Sequence, residues 1–155
     1  MGLQFEFNQQ IDAPRELVFE ALTDLDAFAE YADGDVKIER LDDGPYGVGA
    51  TWKETRTMFG KDASEYFEVV ECDSPERLAL FVDGSKGSSG RGEYHYTYEL
   101  TSTGDGTELT LDARMENMGW LGAIFGRLFS GTFKKAIQAD IDRLKEYAES
   151  GGTIA

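Results

Sequence analysis

Glu54 and Arg56 are the most chemically pointed pair in this chain. In the run GATWKETRTMFG they alternate with Lys53, Thr55 and Thr57, so a strand here puts Trp52, Glu54, Arg56 and Met58 on one face. Two charges on an otherwise apolar face must pair or stay wet, because an isolated buried charge is costly. Two readings follow. As chemistry, Arg56 binds a ligand carboxylate or enolate and Glu54 moves a proton. As architecture, the two form an ion pair at a rim, or the Thr-rich face is the inner one.

A second pattern stands in RGEYHYTYEL, where Tyr94, Tyr96 and Tyr98 occupy every second position. Their apolar bodies predict an inward face, yet each buried phenol needs a hydrogen-bond partner. Either the hydroxyls meet a ligand or they lie at the edge of a packed core. His95, the only histidine, falls opposite the tyrosines beside Glu93, which argues for a surface residue and against a histidine triad or a metal site. Cys72 is the only cysteine; it has no disulfide partner and reads as packing. The glycine cluster GSKGSSGRG lacks the spacing and context of a phosphate-binding loop and reads as a mobile hairpin loop.

The elements that must position these residues are legible in the periodicity. Leu3, Phe5 and Phe7 alternate with polar residues as a strand. IDAPRELVFEALTDLDAF predicts a helix with Asp12 as N-cap and Pro14 in its first turn, followed by a short helix from Asp24 or Asp26 to about Tyr31. From Asp35 to Met118 the chain alternates strand patterns with turn signals such as DDGPYGVG and TSTGDGT, the mark of an antiparallel meander. On its last strand Met115 and Asn117 continue the inward row of Leu109, Leu111 and Ala113. TFKKAIQADIDRLKEYAES then has helical spacing, with Phe133, Ile137, Ile141, Leu144 and Ala148 in one stripe and charges opposite. Phe129, Phe125 and Trp120 extend it backward through a glycine-broken segment that reads either as a lid over a cavity or as packing.

The whole-chain properties narrow the function classes. At 155 residues the chain fits one domain, taken as residues 1–149 with a short tail at 150–155. Thirty acidic against fifteen basic residues give a net charge of −15, which argues against nucleic acid and against stable membrane insertion. The acidity fits either solubility or adaptation to high salt. No basic region followed by an apolar run opens the chain, so the expected location is cytoplasmic.

The order strand, two short helices, six strands, long helix, carried by IDAPRELVFEALTDLDAF, GVGATWKET, VVECDSPERLALF and the C-terminal amphipathic helix, resembles the START-like or SRPBCC superfamily, with its Bet v 1-like helix-grip, and most of all its polyketide cyclase/dehydrase-type members. The resemblance implies an α+β fold in which a curved seven-stranded antiparallel sheet wraps the long helix and encloses a cavity. It implies a small apolar or aromatic ligand, lipid or polyketide-like, and no cofactor. The candidate ligand-binding residues are then Trp52, Glu54, Arg56, Met58, Tyr94, Tyr96, Tyr98, Met115, Asn117, Phe125, Phe129 and Phe133. Two alternatives stay open: a cyclase, aromatase or dehydratase with Glu54 and Arg56 as catalytic candidates, and a protein-interaction module like START-like co-chaperone regulators. Neither ligand identity nor oligomeric state follows from the sequence.

Overall fold

A computed structural model describes residues 2–32, 34–58 and 60–152, with the side chain of Met58 outside the described set. β1 (Leu3–Ile11) leads into α1 (Arg15–Thr23) and α2 (Leu25–Tyr31). The strands β2 (Val36–Arg40), β3 (Thr51–Met58), β4 (Lys61–Asp73), β5 (Arg77–Asp83), β6 (Glu93–Thr103) and β7 (Gly106–Glu116) follow, then α3 (Gly119–Leu128) and α4 (Ser130–Glu149). The strands form one curved antiparallel sheet in the order β1-β7-β6-β5-β4-β3-β2. Hairpins join β2 to β7 consecutively, and only β1 pairs out of sequence, with β7. The fold is the α+β helix-grip that the element order implied.

Period-two burial explains the sheet: Phe7, Ile11, Val69, Leu78, Leu109 and Leu111 are buried on its inner face. α4 lays Ile141, Leu144 and Ala148 against that face. α1 buries Val18, Phe19 and Ala21, and the Tyr31 hydroxyl donates to the Ala21 carbonyl at 3.0 Å, fixing α2 on α1. Burying this phenol satisfies its polar tip locally.

Two local expectations differ from the structure. Asp12 is not the N-cap of α1. Pro14 occupies that position and its carbonyl accepts from Leu17 and Val18, while the Asp12 backbone N–H donates to Glu149 Oε2 at 2.8 Å. An extended proline supplies the φ the cap needs, which frees Asp12 to meet the end of α4. The loop between β5 and β6 is stitched down rather than free. The Ser88 N–H donates to the Ser64 carbonyl at 2.7 Å, and a turn at Gly84–Lys86 is capped by Asp83. A side chain at Gly87 would collide with Glu65 and the Ser64 carbonyl, so the loop lies against β4 only because that residue is glycine.

Candidate functional site

β3, β4 and β6 converge with α2 and α4 on a cavity of about 440 Å³. Strand parity turns Trp52, Glu54 and Arg56 into it, so the Thr-rich face of β3 is the outer one. One wall is an aromatic ladder: Tyr46, Trp52, Phe67 and Tyr96 follow one another at centroid spacings of 6.0, 5.4 and 6.3 Å. The Trp52 and Phe67 rings, opposite each other in register, are within 5° of parallel. α4 closes the other side with Phe133, Ile137, Asp140, Ile141 and Leu144. The Phe133 ring packs on Phe5 at 5.5 Å.

Arg56 is held between two carboxylates. Its Nε donates to Glu54 Oε2 at 2.9 Å, and Nη1 and Nη2 reach the two Asp140 oxygens at 3.1 and 2.8 Å. Its guanidinium also lies 5.6 Å from the centre of the Phe28 ring. Burial alone would push the Arg56 pKa down, but the two carboxylates more than offset it and hold the cation charged. Glu54 is pushed up by desolvation, against the attraction of Arg56. The buried Trp52 indole N–H lies near that carboxylate and favours its charge, without the geometry of a hydrogen bond.

Directly across from Glu54, on β4, stands Glu65. Its Oε1 accepts from the backbone N–H of Ser89 at 3.0 Å and from the Ser89 hydroxyl, and that hydroxyl lies 2.8 Å from the Tyr94 hydroxyl. A serine hydroxyl has one proton, so with Ser89 donating to Glu65, Tyr94 must donate to Ser89. Glu65 Oε2 is buried and, among the described residues, has no hydrogen-bond partner. Desolvation raises its pKa, opposed by the Ser89 bonds. The site thus holds two facing carboxyls, both easier to protonate than surface acids.

Tyr96 and Tyr98 are surrounded by protein yet keep accessible surface, because what they face is the cavity. Burial raises both pKa values, so both stay phenols rather than phenolates.

Of the sequence candidates, Trp52, Glu54, Arg56, Tyr94, Tyr96, Tyr98 and Phe133 line this cavity together. Met115 is buried at the β1 edge, opposite Leu3 and Tyr94, and is not in the wall. Asn117 has a positive φ of 56° past the end of β7 and borders an outer groove with Trp120 and Ile124. Phe125 and Phe129 stack on each other on the outside, 57% and 60% exposed and outside the cavity wall, so the segment is not packed beneath α4. The Met58 side chain lies outside the described residues. Sequence reading missed Glu65, Ser89 and Asp140. Glu65 shares strand parity with Phe67, and Asp140 falls at the helical interval between Phe133, Ile137 and Leu144, inside the stripe whose charges were expected opposite.

On the outer face, His95 packs on Phe81 and its Nε2 lies 3.6 Å from Glu93 Oε2 and 3.7 Å from Glu116 Oε2. These ligand atoms all fall within 4.8 Å of one another, close enough to share one divalent cation. The cluster is on the far side of the sheet from the cavity.

A family model described as polyketide cyclase / dehydrase and lipid transport matches residues 3–149. No curated protein matches the chain. Among solved structures, Ara h 8.0201 superposes with a TM-score of 0.78 at 16% identity, covering 97% of this chain and 99% of that one. TTHA0849 from Thermus thermophilus gives 0.73 at 22% identity, covering 97% and 100%. The di-domain ARO/CYC StfQ from the steffimycin biosynthetic pathway gives 0.72 at 16% identity, covering 94% of this chain and 44% of that one. At these identities the likeness is one of fold.

Proposed function

The chain belongs to the polyketide cyclase / dehydrase and lipid transport family, within the START-like superfamily, and on that premise we propose that it binds a small apolar or aromatic molecule between its sheet and α4. The ligand is lipid- or polyketide-like, uncharged, and carries an O–H or N–H donor. The observation that supports this most is the state of the cavity's charges. Arg56, the one cation among the described lining residues, is already paired with two carboxylates, Glu54 and Asp140, which leaves no net positive charge to welcome an anionic ligand, whereas the Tyr96 and Tyr98 hydroxyls face the cavity and can accept a hydrogen bond. A cavity of about 440 Å³ suits a small molecule, and apolar walls with few polar groups are the usual form of such sites.

Titration calorimetry with three probes of one shape tests this. 2-Naphthol should bind about tenfold tighter than 2-methoxynaphthalene, which lacks the donor, and 2-naphthoate should not bind. Failure of all three would remove the ligand-cavity reading; equal binding of all three would remove only the donor requirement.

The facing Glu54 and Glu65 favour a second reading, a cyclase, aromatase or dehydratase acting on a polyketide-like substrate. Two carboxyls with raised pKa values can divide proton donation and acceptance between them. Glu54→Gln should then abolish turnover of such a substrate while leaving 2-naphthol affinity unchanged. Full turnover in that variant would take Glu54 out of the chemistry.

A further inference from the structure

Helix α3 inverts the usual distribution of size on a surface helix. Gly126 takes the protein side, where a side chain would collide with Leu3. The large residues of the helix take the solvent side. Trp120, Ile124 and Leu128 form one row at four-residue spacing, and Leu121, Phe125 and Phe129 the next, with exposures from 48% at Ile124 to 73% at Trp120. No residue of α3 is buried. Exposed single apolar residues are ordinary, but a contiguous stripe marks an interaction surface.

The charge around this stripe is also inverted. From Met118 to Ala139 there is no Asp or Glu, while Arg127, Lys134 and Lys135 are present, all exposed, in a chain of net charge −15. We propose that α3 docks on the surface of an anionic lipid bilayer, its aromatic and aliphatic stripe entering the headgroup boundary and the three basic side chains meeting lipid phosphates. A Trp-bearing apolar face flanked by Lys and Arg is the composition of an interfacial helix. A second copy of the chain fits less well, because a two-fold contact through this face would bring together two segments that each carry basic residues and no acid to pair with them. The acidic remainder of the surface does not forbid docking, since at physiological ionic strength its field decays over about 8 Å.

Backbone bonds carry α3 into the cavity wall. The Phe129 N–H donates to the Phe125 carbonyl at 3.0 Å, and the Phe133 N–H to the Phe129 carbonyl at 3.1 Å, so the stripe ends one helical turn before a cavity-lining ring. Docking itself does not depend on what fills the cavity.

Co-sedimentation of the full chain with phosphatidylcholine vesicles, with and without about one-third phosphatidylglycerol, reads the proposal directly. Binding to the anionic vesicles should be at least about tenfold tighter than to neutral ones. Leu121→Gln/Phe125→Gln/Leu128→Gln should lose it, and Lys134→Glu/Lys135→Glu should lose the preference for anionic lipid. Thermal melts matching the parent chain would establish that both variants are folded. Brominated lipid should quench Trp120 and spare Trp52, which is 2% exposed. Absence of pelleting with either vesicle, or undiminished pelleting of the triple variant, would overturn the proposal. So would a dimer, seen by light scattering, that the triple variant dissolves, for then a second copy occupies the face.

Discussion

The interior of the sheet and the outer surface of α3 depart from ordinary burial in opposite directions. Inside, Glu54 is buried and Arg56 and Asp140 are half-buried; outside, six large apolar side chains are left in water. These inner charges are answered within the chain, because Arg56 meets both carboxylates at hydrogen-bond distance. The exposed stripe is covered by nothing among the described residues. The comparison teaches where each feature acts: the ion cluster completes the architecture of the cavity, and the stripe is completed only from outside.

The sharpest way to break this contrast is at Arg56. Arg56→Met removes the guanidinium from beside the buried Glu54 and the half-buried Asp140 and should cost about 3 kcal/mol, read as a fall in the urea midpoint at constant slope. A loss below about 1 kcal/mol would mean that the cluster is wetter than its geometry shows. Tyr96→Phe probes the cavity without touching the ions. Stability should stay within about 0.5 kcal/mol, while the affinity for 2-naphthol should fall several-fold, on the order of one hydrogen bond. Unchanged affinity would place the hydroxyl outside the ligand's reach.

On the other side of the comparison, Leu128→Gln should move stability by no more than about 0.5 kcal/mol, because the residue is 72% exposed. A loss of about 2 kcal/mol would show that the stripe is packed in solution. The smallest effect is one of pH. The folded-state pKa of Glu65 is raised, so its contribution to stability is fully present below the unfolded pKa and is lost as pH rises through the folded one. Glu65→Gln carries no such charge. Its melting temperature should therefore gain on the parent chain as pH rises from about 4 to 7, and a constant difference would remove burial as the cause.

Much of this was legible in the sequence, and the reasons are specific. The alternation of Tyr94, Tyr96 and Tyr98 and of Trp52, Glu54 and Arg56 placed both rows on one face of their strands, since parity is a local property. What β3 met across the cavity was not local. Asp140 reaches Arg56 across 84 residues and is hidden in sequence by the apolar stripe around it. Glu65 and Ser89 come together only because Gly87 lets the loop press on β4, so a segment with the composition of a free loop builds part of the site. Phe125 and Phe129 misled for the converse reason: their spacing continues that of α4, but Gly126 between them takes the inner side against Leu3 and the bulky side turns outward. Periodicity finds an apolar face and does not say whether the protein or something else covers it.

The stitched loop between β5 and β6 has one further consequence. The position of the Glu65 acid is set by Ser89, a residue on the part of a hairpin where insertions and deletions are best tolerated, while the cavity walls lie on strands that resist any change of length. In this fold, ligand preference can therefore drift by indels at a hairpin tip, leaving every wall residue unchanged and two diverged chains alike in outline but distinct in what they hold.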